Sequence, residues 1–218
     1  MFWDNTSMNI DFYITVRGEA SDEVVITKSR FIGYAAPCET EEDALAFLRS
    51  VKEKHRDARH HCYAYVIGLN AGVMRYSDDG EPGGTAGLPM MDVLKNVGAV
   101  NCCVVVVRYF GGVLLGTGGL VRAYTQGCKI ALEAAGLVRM EFSVVLRCRV
   151  SYPLWNSVQY ALQKLPVQIG ETVYTEDVAF ELIVREKDSE AVMLQLRNLS
   201  DGKISCEPGS QEYMAWDL

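Results

Sequence analysis

The segment Val100–Tyr109 limits the fold more than any other part of the sequence. Two cysteines, Cys102 and Cys103, precede four successive valines, Val104–Val107, which is the densest β-branched run in the chain. A continuous apolar run of this kind is typical of a buried strand, because a strand with one solvated face alternates between apolar and polar side chains. We therefore place this segment at the centre of a β-sheet.

The length and the hydrophobic content allow two small domains. The chain has 218 residues, of which 49% are hydrophobic, so each half has enough apolar surface for a core. The pattern changes after Arg139, and a helix stop signal, Gly136, lies just before this point. We predict an α+β protein with an N-terminal domain over residues 1–138 and a C-terminal domain over residues 139–218.

The periodicity of apolar residues gives the order of elements in each half. In the first half we expect strands over residues 11–16, 23–27, 31–36, 63–69 and 100–109, a helix after Thr40, and helices over 90–97 and 120–135. In the second half we expect strands over 141–151, 167–174, 178–185 and 203–216, and helices over 154–165 and 189–199. The second half thus follows the βαββαβ order of a ferredoxin-like domain.

The charge excludes a protein that wraps duplex DNA, because such proteins are strongly basic. The formal net charge is −7, with −2 before residue 140 and −5 from residue 140 onward. Any contact with nucleic acid must therefore use a local patch on the first half. The acidic second half suits a basic protein surface or simple solubility equally well.

The cysteines and the hydropathy indicate a cytoplasmic protein. The seven cysteines are odd in number and form no C-x-x-C pair, which predicts reduced thiols and argues against a zinc site. No secretory signal is visible and no apolar stretch approaches about 18 residues, so no membrane contact is expected. No cofactor is predicted, and the oligomeric state does not follow from the sequence.

The first glycine-rich loop, Arg75–Pro89, contains four glycines and two prolines. Its three carboxylates, Asp78, Asp79 and Glu81, fall within four positions, so a buried cluster would need a cation or a basic partner such as Arg75. We interpret the loop as a hydrogen-bonding or metal-binding loop, although the spacing does not match a calcium loop. The alternative is a solvated turn whose acids face water.

The second glycine-rich loop, Gly111–Gly119, leads from the buried strand into a helix. Backbone N–H groups at a helix N-terminus can hold a phosphate or a carboxylate, and Arg108 and Arg122 could add charge. The loop lacks the Gly-Lys-Ser/Thr ending of a Walker A loop and the acid of a dinucleotide fingerprint. The alternative is that its glycines serve close packing alone.

A third cluster, His60-His61-Cys62, opens a strand. Alternation sends His60 and Cys62 to one face of the sheet and His61 to the other, so the three cannot bind one metal ion. A single exposed histidine beside a cleft remains compatible with this pattern.

Three sequence stretches are similar to the signature of the IMPACT/YigZ family. They are Ser77–Gly87 (S-D-D-G-E-P-x-G-T-A-G), Arg108–Gly112 (R-Y-F-G-G) and Gly116–Tyr124 (G-x-G-G-L-x-R-A-Y), and Lys28–Gly33 matches the family's K-S-x-F start. The resemblance covers nearly the whole chain, because bacterial members also carry a second domain. Two positions differ, since Leu88 and Leu114 stand where family members often have a basic residue.

The resemblance implies a first domain like a ribosomal-protein domain and elongation factor G domain IV, with a sheet covered by helices on one face. It implies a second domain like elongation factor G domain V. Eukaryotic relatives act in translational control by binding a regulator of a stress kinase, and nucleic-acid or ribosome binding is the usual inference for bacterial relatives.

Our leading hypothesis is therefore a translation-associated binding protein, more readily a binding protein than an enzyme, that contacts RNA, the ribosome or a translation factor through the two loops. The candidate binding residues are Arg30, His61, Arg75, Ser77, Asp78, Asp79, Glu81, Thr85, Arg108, Tyr109, Gly111, Gly112, Gly116, Gly118, Gly119 and Arg122. One alternative is an enzyme or binding protein for a small phosphorylated or carboxylated ligand, and no nucleophile–base pair can be identified for it. Another is a protein-interaction module in translation control that contacts no nucleic acid.

Overall fold

The computed structural model describes residues 10–218, which divide into two compact units. The first unit runs to Arg139 and also includes Ala215–Leu218, and the second comprises Met140–Met214. Within the described residues, no helix is long and apolar enough to cross a membrane.

The first unit contains strands β1 to β6 and helices α1 to α3. The strands are β1 (Phe12–Val16), β2 (Ala20–Ile26), β3 (Ser29–Pro37), β4 (His60–Ile67), β5 (Val73–Ser77) and β6 (Cys102–Tyr109), and the helices are α1 (Glu41–Lys54), α2 (Gly87–Val97) and α3 (Gly116–Ala135). Five strands form an antiparallel sheet in the order β2-β3-β6-β4-β5. Strand β6 therefore lies at the centre of the sheet, as the valine run predicts, and Val104–Val107 are all fully buried.

Helices cover both faces of this sheet, which corrects the expectation that they lie on one face. Val104 and Val106 pack in the cluster that α2 and α3 cover, whereas Val105 and Val107 pack in the cluster that α1 covers through Phe47. The physical reason is the composition of β6. Because successive side chains point to opposite faces, a strand that is apolar at every position needs a cover on each side.

Local sequence signals explain where α1 begins. Thr40 accepts a hydrogen bond from the Asp43 backbone N–H, and the Asp43 carboxylate accepts one from the Thr40 N–H. This reciprocal capping box satisfies two N–H groups that the helix leaves unpaired. The prediction of a helix after Thr40 is thus confirmed.

Helices α2 and α3 begin earlier than the periodicity predicts, at Gly87 rather than residue 90 and at Gly116 rather than residue 120. Glycine has a poor helix propensity, which favours a later start. Tertiary packing overrides it at Gly87, where an added Cβ would lie 2.8 Å from backbone atoms of Ser77. Strand β5 was also missed, since the sequence predicted a loop from Arg75 onward.

The second unit has the predicted βαββαβ order. Its elements are β7 (Leu137–Val150), α4 (Tyr152–Leu162), β8 (Val167–Tyr174), β9 (Val178–Arg185), α5 (Ser189–Leu199) and β10 (Ser205–Asp217). Strand β7 pairs with both β9 and β10, and β9 pairs with β8. The core of this unit contains Leu146, Trp155, Phe180 and Leu196. The prediction of a mixed α+β, two-domain protein is confirmed.

Candidate functional site

A cleft of about 470 Å³ lies at the C-terminal end of β6. The pairing of three strands brings its parts together, because Arg108 on β6 faces Phe31 on β3 and His60 on β4. The side chains that line the cleft include Asp57, Arg59, His60, Arg108, Phe110 and Leu114. Phe110 is exposed, and Leu114 is 87% exposed, so the cleft has an apolar rim open to solvent.

A buried ion pair forms one wall of this cleft. Arg108 Nη1 donates to Glu81 Oε1 at 2.7 Å, and the Tyr124 hydroxyl donates to the same oxygen at 2.7 Å. The two charged side chains are 8% and 3% exposed. The Arg108 guanidinium also lies between two aromatic rings, with centroids of Phe31 and Phe110 at 5.6 and 5.5 Å. Its charge is therefore compensated, and Arg108 fixes the loop that carries Glu81 to the sheet.

The surroundings of this pair are strongly desolvated. Burial raises the pKa of the Tyr124 hydroxyl far above its usual range and raises the pKa of the Cys62 thiol to about 12. Within the part of the chain that the structure describes, the buried Nε atom of Arg108 has no hydrogen-bond partner. The Tyr124 hydroxyl and the Cys62 thiol therefore stay protonated at neutral pH and do not act as proton carriers.

Asp78 caps the N-terminus of α2, although it lies outside the helix in the sequence. Its Oδ1 accepts hydrogen bonds from the backbone N–H groups of Ala86 and Gly87 at 2.9 and 2.8 Å, and its Oδ2 accepts one from Gly84 at 2.8 Å. The negative charge is placed at the positive end of the helix dipole. The backbone amides thus satisfy a carboxylate for which the sequence suggested a cation.

Asp79 binds the beginning of β4. Its Oδ2 accepts from the His61 backbone N–H at 2.7 Å, its backbone carbonyl lies 2.9 Å from His60 Nδ1, and Lys52 Nζ lies 3.5 Å from Oδ1. Within residues 10–218, no group of three or more His, Cys, Asp or Glu side chains could hold a metal ion. The three acids of the first loop therefore have three separate sets of protein partners.

The second loop contributes a close backbone contact at Gly111 and leads into the N-terminus of α3. A Cβ at Gly111 would lie 1.9 Å from the Lys28 carbonyl oxygen, so only glycine fits there. Helix α3 starts at Gly116 directly after Leu114 and Leu115, and among the described residues no side chain caps it. Gly116 and Gly118 are exposed. Packing thus explains Gly111, whereas the first turn of α3 still offers N–H groups to a ligand.

A chain of four polar side chains lies on the α1 face of the sheet. The Tyr34 hydroxyl lies 2.6 Å from His55 Nε2, His55 Nδ1 lies 2.9 Å from the Tyr109 hydroxyl, and Tyr109 donates to Asp57 Oδ1 at 2.9 Å. Since Tyr109 donates its only proton to Asp57, it accepts from His55 Nδ1–H, and Nε2 then accepts from Tyr34. Burial lowers the pKa of His55, which suits this neutral tautomer.

The remaining sequence-predicted residues do not all lie at the cleft. Arg30 faces Tyr109 across the strands but is paired with Glu23, with Nε 2.8 Å from Oε2. Arg75 lies on β5, with Nε 3.8 Å from Glu41 Oε1. The register places Arg75 level with Cys103, five residues or about 16 Å along the sheet from Arg108.

The other candidate binding residues predicted from the sequence lie in the loops, at the start of β4 and on α3. Ser77 accepts a hydrogen bond from the Asp79 N–H, and the Thr85 hydroxyl donates to the Pro82 carbonyl at 2.7 Å. His61 is buried, with Nε2 3.0 Å from the His55 carbonyl oxygen, so it is not the exposed histidine beside a cleft. Gly112 lies in the exposed turn after β6, Gly119 lies in the first turn of α3, and Arg122 is exposed on α3.

Sequence reasoning missed several residues of the cleft. Arg59 directly precedes the His60-His61-Cys62 cluster and Phe110 lies within the R-Y-F-G-G stretch, but a single arginine or phenylalanine carries no signal of its own. Asp57 lines the cleft and His55 contacts Tyr109. Both follow the end of α1, where a basic residue such as His55 can be explained by the helix dipole alone. Only the pairing of β4, β6 and the α1 end brings them to one place.

Two family models match the chain, one in each half. The model of the Impact N-terminal domain matches residues 27–132, and that of a domain of unknown function, DUF1949, matches residues 148–203. IMPACT family member YvyE of Bacillus subtilis is 38% identical over 202 residues, which cover 93% of each chain. An IMPACT family member of Haemophilus influenzae is 39% identical over 197 residues, covering 88% of this chain and 94% of that one.

IMPACT family member YigZ of Escherichia coli is 52% identical over 110 residues, covering 50% of this chain and 54% of that protein. A solved structure described as "Crystal structure of an hypothetical protein" aligns with a TM-score of 0.58 at 32% identity, covering 92% of this chain and 98% of that one. These matches confirm the family resemblance of the two glycine-rich loops. The chain belongs to the IMPACT family.

Proposed function

We propose that the chain is a translation-associated binding protein whose N-terminal domain contacts RNA through the cleft at the end of β6. Membership of the IMPACT family supports the translation role, because the resemblance connects eukaryotic relatives with translational control. The observation that carries the RNA contact is the composition of the cleft. It combines exposed Arg59, exposed Phe110 and Leu114, and α3 begins just beyond Leu114, at Gly116.

Each of these parts matches a component of single-stranded RNA. An unpaired base stacks on an aromatic ring, and this contact is worth about 1–3 kcal/mol per base. A phosphate binds to an arginine and to the N–H groups at a helix start. Phe110 would hold the base, and Arg59 and the first turn of α3 would hold the phosphate. Arg108 takes a positioning role instead, because Glu81 compensates its charge.

The charge of the protein limits the size of this contact. With a net charge of −7, the chain cannot follow a long stretch of phosphate backbone. Leu114 occupies a position where relatives often carry a basic residue, which removes one phosphate contact. We therefore expect a short, salt-sensitive contact of one or two nucleotides, of the kind that recognises an unpaired base within a larger RNA.

Binding of a short single-stranded RNA, followed by fluorescence anisotropy at several salt concentrations, tests the proposal. The variant Arg59→Ala should bind more weakly, and the salt slope should fall by about 1. Phe110→Ala should weaken binding with the slope unchanged. Arg49→Ala removes the same charge from an exposed position on α1 outside the cleft and is the matched control.

Equal binding by wild type, Arg59→Ala and Phe110→Ala would exclude this cleft as the RNA site. Sedimentation with ribosomal fractions, with and without nuclease, then separates the related outcomes. Nuclease-sensitive co-migration indicates RNA, whereas a protein partner that survives nuclease indicates the interaction module that the sequence left open.

A second candidate function is binding of a small phosphorylated or carboxylated ligand in the same cleft. The volume favours it, since about 470 Å³ lies within the roughly 300–1,000 Å³ of small-molecule sites. A rise in melting temperature with a mononucleotide, lost in Arg59→Ala, would support this function. The absence of a shift across nucleotides and organic acids would argue for the RNA contact alone.

A further inference from the structure

Two cysteines that are distant in the sequence lie in contact in the second unit. Cys148 on β7 and Cys206 on β10 are 58 positions apart, and their Sγ atoms are 2.7 Å from each other in a thiol–thiol hydrogen bond. Both are free thiols. No C-x-x-C spacing marks the pair, so the sequence gives no sign of it. The contact arises because β10 pairs directly with β7.

The pairing of β7 with β10 suits a disulfide, because it places the two Sγ atoms 2.7 Å apart. Facing residues on paired strands have Cα atoms about 4.5–5.5 Å apart. This lies inside the range of about 4.4–6.8 Å over which two cysteines can be bridged without backbone movement. Closing the bond would therefore require only a small side-chain adjustment, and the two strands would keep their pairing.

The two thiols differ in access to solvent. Cys148 is 1% exposed and packs in the core beside Leu146 and Phe180. Cys206 is partly exposed, because β10 pairs only with β7 in the second unit and so forms an edge of its sheet. Of the seven cysteines, all within residues 10–218, Cys206 alone is not buried. A small oxidant can thus reach Cys206 first.

We propose that Cys148 and Cys206 form a reversible two-thiol oxidation site that takes a small peroxide as its oxidant. The Cys206 thiolate attacks the peroxide O–O bond, which gives a sulfenic acid and releases water or an alcohol. The Cys148 thiol then displaces the sulfenic hydroxyl as a second water, and the S–S bond forms. A thiol reductant returns both groups to the starting state.

The hydrogen bond between the thiols favours this assignment of roles. It lowers the pKa of Cys206 and raises that of Cys148. Because the thiolate is the nucleophile, Cys206 is the attacking sulfur and Cys148 the resolving one. The disulfide would join the first and last strands of the C-terminal domain and restrict its unfolded chain.

The full-length protein is treated with hydrogen peroxide, alkylated, digested without reductant and mapped by mass spectrometry. We expect a linked pair of peptides that contain Cys148 and Cys206, with the loss of two hydrogen atoms, reversed by dithiothreitol. Oxidation should also raise the melting temperature of the wild type. Cys206→Ser should abolish both effects, and Cys38→Ser, in the first unit, should leave both unchanged.

The variant Cys148→Ser gives a separate readout, because it removes the resolving thiol alone. In this variant Cys206 should accumulate as a sulfenic acid that dimedone traps. Two results would overturn the proposal: a wild-type protein in which Cys206 is oxidised while Cys148 remains alkylated, or linkage of Cys206 to any other cysteine.

Discussion

Replacing Glu81 by alanine removes the acceptor that holds the first glycine-rich loop against β6. In the structure, one oxygen of Glu81 accepts from both Arg108 and Tyr124 at 2.7 Å. The substitution leaves a buried guanidinium without a counter-charge and a buried hydroxyl without an acceptor. We expect it to destabilise the first unit far more than the loss of a surface residue.

The magnitude follows from the burial of the pair. Removal of one partner from a buried ion pair costs about 3–5 kcal/mol, and an orphaned hydroxyl costs about 1–3 kcal/mol. The two costs overlap, because both donors use the same oxygen, so we expect about 4 kcal/mol in total. This is a large part of the 5–15 kcal/mol by which a typical domain is stable.

Urea unfolding combined with hydrogen exchange measures this loss for each unit separately. Amides in β6 (Cys102–Tyr109) report on the first unit, and amides in β9 (Val178–Arg185) provide an internal reference. The variant Glu81→Ala should lower protection in β6 and leave β9 unchanged. The double variant Glu81→Met/Arg108→Met should recover most of the loss, since apolar groups can replace a buried pair.

The matched control is Glu23→Ala, which breaks the exposed pair of Glu23 with Arg30. Exposed pairs contribute little, because water solvates both charges when they separate. If Glu81→Ala proved no more destabilising than Glu23→Ala, the buried pair would not hold the loop and our reasoning on the cleft wall would fail.

Two further predictions concern pH and the close backbone contact. Burial lowers the pKa of His55 in the folded protein. Between the ordinary pKa of histidine, about 6.5, and this lower pKa, the unfolded protein binds one proton more than the folded protein. The urea midpoint of the first unit should therefore fall as the pH drops below about 6.5. The variant His55→Gln should reduce this dependence of the midpoint on pH. An unchanged pH dependence in the variant would contradict a neutral, hydrogen-bonded histidine. Gly111→Ala should lower the melting temperature, because the new Cβ would collide with the Lys28 carbonyl, whereas Gly18→Ala, with nothing within 4 Å, should not. Similar melting temperatures for the two glycine variants would show that the turn after β6 yields easily.

The sequence predicted the parts of the fold that depend on neighbouring residues. The valine run placed β6 at the sheet centre, and Thr40 with the acids after it placed the start of α1. Alternation separated His61 from Cys62, and the structure confirms this, since Cys62 packs under α2 and α3 while the His61 ring lies at the end of α1.

The candidate site could not be assembled in this way, because its contacts join distant segments. Glu81 binds side chains 27 and 43 positions away, and nothing near Glu81 in the sequence identifies them. The glycines were equally ambiguous. Gly33 is required because its Cβ would lie 2.1 Å from the Gly127 carbonyl, a contact between β3 and α3 that only the packed domain contains.

The anchoring of the first glycine-rich loop has a consequence for the thermodynamics of recognition. Asp78 accepts from three backbone amides, Glu81 accepts from Arg108 and Tyr124, and Thr85 closes the turn at Pro82. The conformational entropy of these residues is lost during folding, so a ligand that contacts them does not bear that loss again. Calorimetry of any ligand at this loop should consequently show little entropic penalty from ordering of the protein, and affinity should depend on the quality of the contacts alone.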